Sequence, residues 1–167
     1  MNDTAAAGPF PGYYQVAYVT TDLDRAMALF GETHSVRRYL EMRGIRYQTV
    51  PGREAHCDIA LAYLGATEIE IIRPLDGDVG LYREFLPADG GFAVRFHHIS
   101  RLYDSEADFD RQIASYRNRG MQFPIMGAAP GNSRYFYCDF RAELGHYIEG
   151  IVFEPQARAW LATIPRN

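Results

Sequence analysis

The pattern of apolar and polar positions passes through the chain twice in the same order. Residues 13–20 alternate in the manner of a strand. The segment Thr21-Asp22-Leu23-Asp24 then favours the start of a helix, because a capping side chain precedes acidic residues of the first turn. This helix carries one apolar stripe and is expected to end at Gly31; the stripe is Leu23, Met27 and Phe30.

The second pass repeats this order. Residues 96–101 read as a strand, and either Asp104 or Ser105 can cap the helix that follows. Gly120 is expected to close that helix, whose stripe has the same spacing as the first: Phe109, Ile113 and Tyr116. Both helices therefore present one narrow apolar face, which suits packing on one side of a sheet.

Three strand-like segments follow each helix. After the first helix they lie at 36–40 or 45–50, then at 59–64, then at 68–72, with a tight turn at Gly65-Ala66. After the second helix they lie at 122–126, 134–140 and 147–152. The stretch 33–56 is the least regular, and a strand, a long hairpin and a loop all remain open there.

These elements predict an α+β domain built from two βαβββ modules, a repeat of about eighty residues. The modules span residues 13–75 and 95–152 within a single domain at 13–152. A short helix is expected between them at 81–86. Residues 1–12 are expected to form a flexible leader, and residues 153–167 a C-terminal tail with a short helix.

Composition narrows the class of protein. The chain has 167 residues, and its apolar content of 47% is enough for one real core. A formal charge of −4 gives no overall attraction to nucleic acid or to an anionic membrane. No apolar run approaches the roughly 18 residues needed to span a bilayer. The N-terminus lacks a secretory signal, and Cys57 and Cys138 have no metal-type spacing, so we expect reduced thiols in a cytoplasmic protein.

Four polar side chains stand in the first and last strand of each module. They are Gln15, Glu70, His98 and Glu149. Side chains two apart on a strand share a face, which groups Gln15 with Tyr13 and Ala17, and His98 with Phe96 and Ser100. Burying such groups in apolar strands is costly unless they find partners, and one divalent cation would satisfy all four.

Each of these residues also has an ordinary explanation. Gln15 can be a polar residue near a strand edge, and Glu70, beside Glu68 and Arg73, can be one of several solvated charges. A lone histidine such as His98 is usually a hydrogen-bonded core residue. Glu149 is the best single candidate because apolar residues surround it; the matching positions in the two modules favour a metal site for the set.

These segments resemble the vicinal oxygen chelate superfamily, which includes glyoxalase I, methylmalonyl-CoA epimerase, extradiol dioxygenases and bleomycin-resistance proteins. The matching segments are Gln15–Asp24, Glu68–Leu75, Tyr82–Leu86, His97–Ile99 and Gly145–Glu149. The resemblance implies an eight-stranded, incompletely closed curved sheet around a metal, with helices outside. It also implies that His98 is the ligand while His97 points to the other side, and that the protein is a homodimer.

The donor set is similar to that of glyoxalase I. Because Gln15 replaces one histidine, a redox-inactive ion (Zn, Ni, Co, Mn or Mg) fits better than the iron of a dioxygenase. We therefore expect a metal-dependent isomerase, epimerase or lyase that abstracts a proton next to a metal-bound carbonyl and stabilises an enolate or enediolate. Glu149 is the expected base, with Glu70 as a permanent ligand or second base.

A non-catalytic binding protein of the bleomycin-resistance type is the main alternative. Tyr135 and Tyr137 lie on a predicted strand and are candidates for binding an aromatic ligand. Several arginines in the irregular stretch could meet an anionic carrier such as a CoA or glutathione conjugate, although exposed arginines more often serve solubility. These are Arg37, Arg38, Arg43, Arg46 and Arg53.

Overall fold

The computed structural model describes residues 12–129 and 131–167, and it consists of two βαβββ modules in one sheet. The first module contains β1 (Tyr13–Thr20), α1 (Leu23–His34), β2 (Leu40–Val50), β3 (Arg53–Leu64) and β4 (Thr67–Gly77). The second contains β5 (Val94–Leu102), α3 (Glu106–Asn118), β6 (Ile125–Ala129), β7 (Ser133–Phe140), α4 (Arg141–Leu144) and β8 (His146–Phe153). Two short helices, α2 (Gly80–Arg83) and α5 (Arg158–Leu161), follow the modules. The predicted α+β class is confirmed; the predicted leader lies, apart from Gly12, outside the described residues.

The modules meet at the middle of one eight-stranded sheet, in the order β2-β3-β4-β1-β5-β8-β7-β6. The first strands of the two modules pair antiparallel, and each pairs in parallel with the last strand of its own module. The sheet curves until its edge strands β2 and β6 face each other. Tyr135 donates its hydroxyl hydrogen to the Gln48 carbonyl at 2.7 Å across this unsealed seam.

Helix α1 lies outside the sheet and buries Leu23, Ala26 and Phe30. Its N-cap is Asp22, whose side chain accepts a hydrogen bond from the Arg25 N–H, so Thr21 is not the capping residue. The expected end at Gly31 is wrong. The helix continues to His34, and its C-cap Ser35 adopts φ 61.

Helix α3 follows the prediction closely. Ser105 is the N-cap, and the predicted stripe residues Phe109, Ile113 and Tyr116 are buried. Gly120 follows the C-cap with φ 74, which is the left-handed conformation that glycine adopts without a steric penalty.

The irregular stretch at 33–56 contains strand β2 and the start of β3. The strand alternative at 36–40 is wrong except for Leu40, and β3 begins at Arg53, earlier than expected. A register shift between Met42 and Ile45, with Gly44 at φ 63, interrupts the regular alternation of apolar and polar positions in this stretch. In the second module, β6 begins at Ile125 and not at residue 122.

Apolar side chains fill both faces of the sheet. One cluster lies under α1, a second lies under α3, and the third lines the concave face between the modules. Cys57 and Cys138 are free and buried in β3 and β7. Among the described residues, no helix has both the length and the apolar character to cross a membrane.

Candidate functional site

The floor of the concave face consists of two neighbouring rows of residues across the four central strands. Strand pairing places Glu68, Gln15, Ser100 and Glu149 in one row. The next row is Glu70, Ala17, His98 and Tyr147. The four predicted ligands are therefore divided between two adjacent rows, which brings them together from four different strands.

The two rows are related by the repeat of the modules. Gln15 on β1 corresponds to His98 on β5, and Glu70 on β4 corresponds to Glu149 on β8. Ala17 and Ser100 are the small central residues of their rows and are completely buried. Glu68 breaks the symmetry, because Tyr147 occupies its place in the second module.

A cavity of about 170 Å³ lies above these rows. Gln15, Glu70 and Glu149 line it, together with Glu68 and with Tyr135 and Tyr137. None of the predicted ligands is a solvated surface group or an edge residue, since their four strands are central and even the Glu70 side chain is only 13% exposed.

His98 lies between the two predicted carboxylate ligands. Its Nε2 is 3.4 Å from Glu70 Oε2 and 3.5 Å from Glu149 Oε2, distances of an ion pair rather than of a normal hydrogen bond. Burial disfavours the protonated ring, but Glu149 and Glu70 outweigh it and raise the pKa of His98 to about 9. Burial raises the pKa of Glu70, although His98 opposes this.

His97 also points into the interior, so the expectation that it faces the other side is wrong. The pairing with β1 advances from Ala17↔His98 to Tyr18↔Phe96, which makes His97 the extra residue of a β-bulge. The bulge interrupts the alternation of β5, so both histidine rings contact Tyr137. Phe96 instead contacts Tyr18 and is 37% exposed.

The contacts of His97 fix which nitrogen of His98 is free. His97 Nε2 lies 3.2 Å from the Leu81 carbonyl, which can only accept, so this nitrogen carries the hydrogen. Burial lowers the pKa of His97 well below its usual value, so the ring is neutral and its Nδ1 is an acceptor. His98 Nδ1 therefore donates to His97 Nδ1 at 2.8 Å. His98 Nε2 is left facing the two carboxylates.

A second bulge places Tyr14 at the cavity. Between Tyr13↔Arg101 and Gln15↔Ser100, β1 has one residue more than β5. The extra residue is Tyr14, which lines the cavity, and the same bulge separates Gln15 from its expected face partner Tyr13. Burial, and then the charges of Glu68, Glu149 and Glu70, raise the pKa of Tyr14 well above its usual value.

Glu68 is the acidic residue whose importance the sequence pattern did not reveal. Gln15 donates from Nε2 to Glu68 Oε1 at 2.7 Å, which orients the Gln15 amide. Burial raises the pKa of Glu68 to about 7, although the hydrogen bond from Gln15 acts in the opposite direction. Its position two residues before Glu70, on the same face of β4, was the available signal.

Tyrosine hydroxyls form a connected wall beside this floor. Tyr47 donates to Tyr82 at 2.7 Å, and Tyr82 donates to Tyr137 at 3.5 Å. Tyr82 is completely buried and stacks near His97, with ring centroids 5.0 Å apart. Tyr47 and Tyr82 were not predicted as site residues, because the irregular stretch and the short helix α2 gave no facing pattern.

The donor atoms are of the kinds that bind a divalent cation, although their present spacing is not that of a complete metal site. Gln15 Oε1 and His98 Nε2 are buried and have no hydrogen-bond partner, which leaves an amide oxygen and an imidazole nitrogen beside two carboxylates. The N···O separations at His98 are close to the roughly 3.4 Å between two ligands of one tetrahedral ion bonded at about 2.1 Å. As they stand, no three His, Cys, Asp or Glu side chains within 12–129 and 131–167 form a metal-binding group.

A protein-family model matches most of this chain. Residues 14–138 match the model described as "Glyoxalase/Bleomycin resistance protein/Dioxygenase superfamily". The chain belongs to this superfamily. The match includes Gln15, Glu70 and His98, whereas Glu149 lies beyond its end. No curated protein sequence matches the chain significantly.

Several solved structures share the fold at low sequence identity. Methylmalonyl-CoA epimerase from Mycobacterium tuberculosis is 17% identical, with a TM-score of 0.57, 95% of this chain covered and 97% of that chain. A hypothetical protein from Bacillus halodurans C-125 is 16% identical, with a TM-score of 0.59 and coverages of 87% and 96%. A variant of Streptomyces coelicolor methylmalonyl-CoA epimerase in complex with 2-nitronate-propionyl-CoA is 14% identical, with a TM-score of 0.55 and coverages of 84% and 95%.

The arginines of the irregular stretch lie outside the cavity of this superfamily member. All five are exposed: Arg37, Arg38, Arg43, Arg46 and Arg53. Arg43 pairs with Asp24 and Glu41, and Arg53 pairs with Asp78. Their exposure agrees with the interpretation that they serve solubility.

Proposed function

We propose that the protein is an isomerase or epimerase that removes a proton from the carbon next to a carbonyl group bound in this cavity. The observation that carries the proposal is the floor, where Glu70 and Glu149 face His98 at the base of a largely apolar cavity. The superfamily membership and the methylmalonyl-CoA epimerase fold support it. A glyoxalase-type lyase belongs to the same chemical class.

The groups that would hold a divalent ion are Gln15 Oε1, His98 Nε2 and the carboxylates of Glu70 and Glu149. Such an ion (Zn, Ni, Co, Mn or Mg) supplies a Lewis acid that polarises a carbonyl oxygen. Glu68 holds the Gln15 amide with its oxygen unpaired, and His97 holds His98 with Nε2 unpaired. Each of these neighbours therefore fixes a floor side chain and leaves one of its donor atoms available to bind the ion.

The carboxylates of this floor are the groups proposed to accept the proton from the substrate. We infer that Glu149 is the base and that Glu70 is the second carboxylate, which returns the proton or remains a ligand. Their side chains are only 11% and 13% exposed, so little water competes for the proton. Tyr135 and Tyr137 would contact the bound substrate from the wall.

The carrier of the substrate would lie outside the cavity, because a space of about 170 Å³ accepts only a small head group. A CoA or glutathione thioester or hemithioacetal meets this requirement. We also propose a homodimer, which sedimentation equilibrium would distinguish from a monomer.

Exchange of the substrate α-hydrogen tests the assignment of the base. CoA thioesters and glutathione hemithioacetals are incubated in D₂O with the protein and each divalent metal, and deuterium incorporation is followed by NMR. Glu149→Gln is expected to lower exchange by at least about 100-fold, the scale of a general base, while much of the metal is retained. The matched control is E143Q, an exposed residue of α4. Undiminished exchange in E149Q would show that another group takes the proton.

A non-catalytic binding protein for an aromatic small molecule is the second candidate. The aromatic wall favours it, since Tyr14, Tyr47, Tyr82, Tyr135, Tyr137 and Trp160 all line the cavity. Tight binding of an aromatic ligand by metal-free protein, without exchange on any thioester, would favour this candidate. An extradiol dioxygenase is less favoured, because the floor offers one histidine where iron oxygenases use two.

A further inference from the structure

The charged groups of the cavity are all of one sign. Among the described lining residues, the charged side chains are Glu68, Glu70 and Glu149. No arginine lines the cavity in the described part, and the chain contains no lysine. Among the residues described, His98 is the only cationic member of the floor, and Glu70 and Glu149 already flank it.

The remainder of the lining is uncharged: it consists of apolar side chains, the tyrosines, Gln15, Asn132 and Ser133. Aliphatic side chains from β2, β3, β6 and β8 form an apolar wall around the floor: Met42, Ile45, Ile59, Leu61, Ile125 and Ile151. These side chains come from both modules, so the apolar wall continues across the seam. They offer no donor to an anionic group, and a carboxylate buried among them without a partner would be strongly disfavoured.

The size of the space limits what enters it. A cavity of roughly 150 Å³ holds a molecule such as benzene, and this one measures about 170 Å³. The reacting carbon and its substituents therefore lie against the apolar wall and the carboxylates together. A divalent ion held by Glu70 and Glu149 would leave no net positive charge, since their two charges balance its own.

We propose that the cavity selects carbonyl compounds whose α-carbon bears only neutral, apolar substituents, and that it rejects those with a carboxylate on that carbon. The proposal rests on the proposed function for its reacting carbon, but it concerns which head group binds. If so, this protein does not act on methylmalonyl thioesters, although methylmalonyl-CoA epimerases share its fold.

A pair of nearly isosteric ligands tests the selection. The N-acetylcysteamine thioesters of isobutyrate and methylmalonate differ by a methyl group in place of a carboxylate. Trp160 is the only tryptophan and lines the cavity, so its fluorescence reports binding of either thioester, and W160F shows which signal comes from the cavity. Binding is measured with metal-free protein and with added Zn²⁺, and deuterium exchange at the α-carbon is measured in the same samples.

The isobutyryl thioester is expected to bind at least about tenfold more tightly, because the methylmalonyl carboxylate would lie against side chains that carry the same charge. Glu68→Gln removes one of the three carboxylates and is expected to reduce the ratio of the affinities for the two thioesters. Equal binding, tighter binding of the methylmalonyl thioester, or binding of neither overturns the proposal. A preserved preference without deuterium exchange on either thioester counts against the proposed reaction alone.

Discussion

At the scale of single residues, His97 shows how a neighbour can set the chemistry of a site residue. The Leu81 carbonyl determines the tautomer of His97, and His97 in turn accepts the Nδ1 hydrogen of His98. The nitrogen that faces Glu70 and Glu149 is therefore fixed by a carbonyl in the short helix α2. A histidine so oriented needs only to lose the proton on Nε2 to bind a cation.

Replacing His97 by phenylalanine tests this orienting role. H97F keeps an aromatic ring among Tyr82, Phe85 and Tyr137 but removes the acceptor for His98. The affinity for Zn²⁺, measured by calorimetry on metal-free protein, is expected to fall about 10- to 100-fold. Circular dichroism monitors folding. His56→Phe, outside the cavity, should leave the affinity unchanged; an unchanged affinity in H97F would refute the role.

At the scale of elements, the ends of helices and the edges of strands depend on local backbone geometry. Helix α1 passes through Gly31, whose φ is not positive, and it ends before Ser35, which adopts φ 61. Strand β6 approaches β2 at Gly127, where an added Cβ would collide with the Gln48 carbonyl and the Tyr135 ring. Each site tolerates a limited set of side chains.

Glycine at position 35 is expected to stabilise the protein. Ser35 holds φ 61, a conformation that costs a residue with a Cβ roughly 1 kcal/mol relative to glycine. S35G should therefore raise the free energy of unfolding in urea by about that amount. Ala28→Gly, at an exposed position within α1, should lower it by about 1 kcal/mol. A destabilised S35G would contradict the assignment of strain.

The opposite change at the seam is expected to destabilise the protein. Gly127→Ala forces the Gln48 backbone or the Tyr135 ring to move, which should lower the free energy of unfolding by about 1–3 kcal/mol. Gly80→Ala is the matched control, since nothing lies within 4 Å of its added Cβ. If both variants unfold at the same urea concentration, β2 and β6 do not pack as closely as described.

At the scale of the whole molecule, the site joins the two modules. Gln15 and Glu70 come from the first module, whereas His98 and Glu149 come from the second. Without a cation, three acidic side chains share a buried floor with a single histidine. A bound ion would satisfy these groups and link the modules at once, so folding stability and metal binding are expected to be coupled.

Thermal unfolding with and without metal measures this coupling. At a free concentration of about 100 times its Kd, a metal stabilises the folded state by about 2.7 kcal/mol, which should raise Tm by about 5–10 °C. His98→Gln should largely lose the increase, and Glu143→Gln should keep it. An unchanged Tm with Zn²⁺, Ni²⁺, Co²⁺, Mn²⁺ and Mg²⁺ would argue against a metal site.

The sequence alone determined the modules, because alternation and helical stripes are local and record which face each element buries. It also singled out Gln15, Glu70, His98 and Glu149, since polar groups at matching places in apolar strands require a common explanation. Their roles as ligands and base stay predictions. The helix stripe at Phe109 and the cap at Ser105 were predictable for the same local reason.

Only the tertiary structure decided how these groups meet. The bulges at Tyr14 and His97 depend on how β1 and β5 pair, and no local pattern records a register between strands about eighty residues apart. The pairing of β1 with β4 brings Glu68 to Gln15, and the bulge in the pairing of β1 with β5 turns His97 inward. The uniform charge of the cavity likewise arises from side chains of both modules, because a closed space is a property of the assembled sheet rather than of any segment.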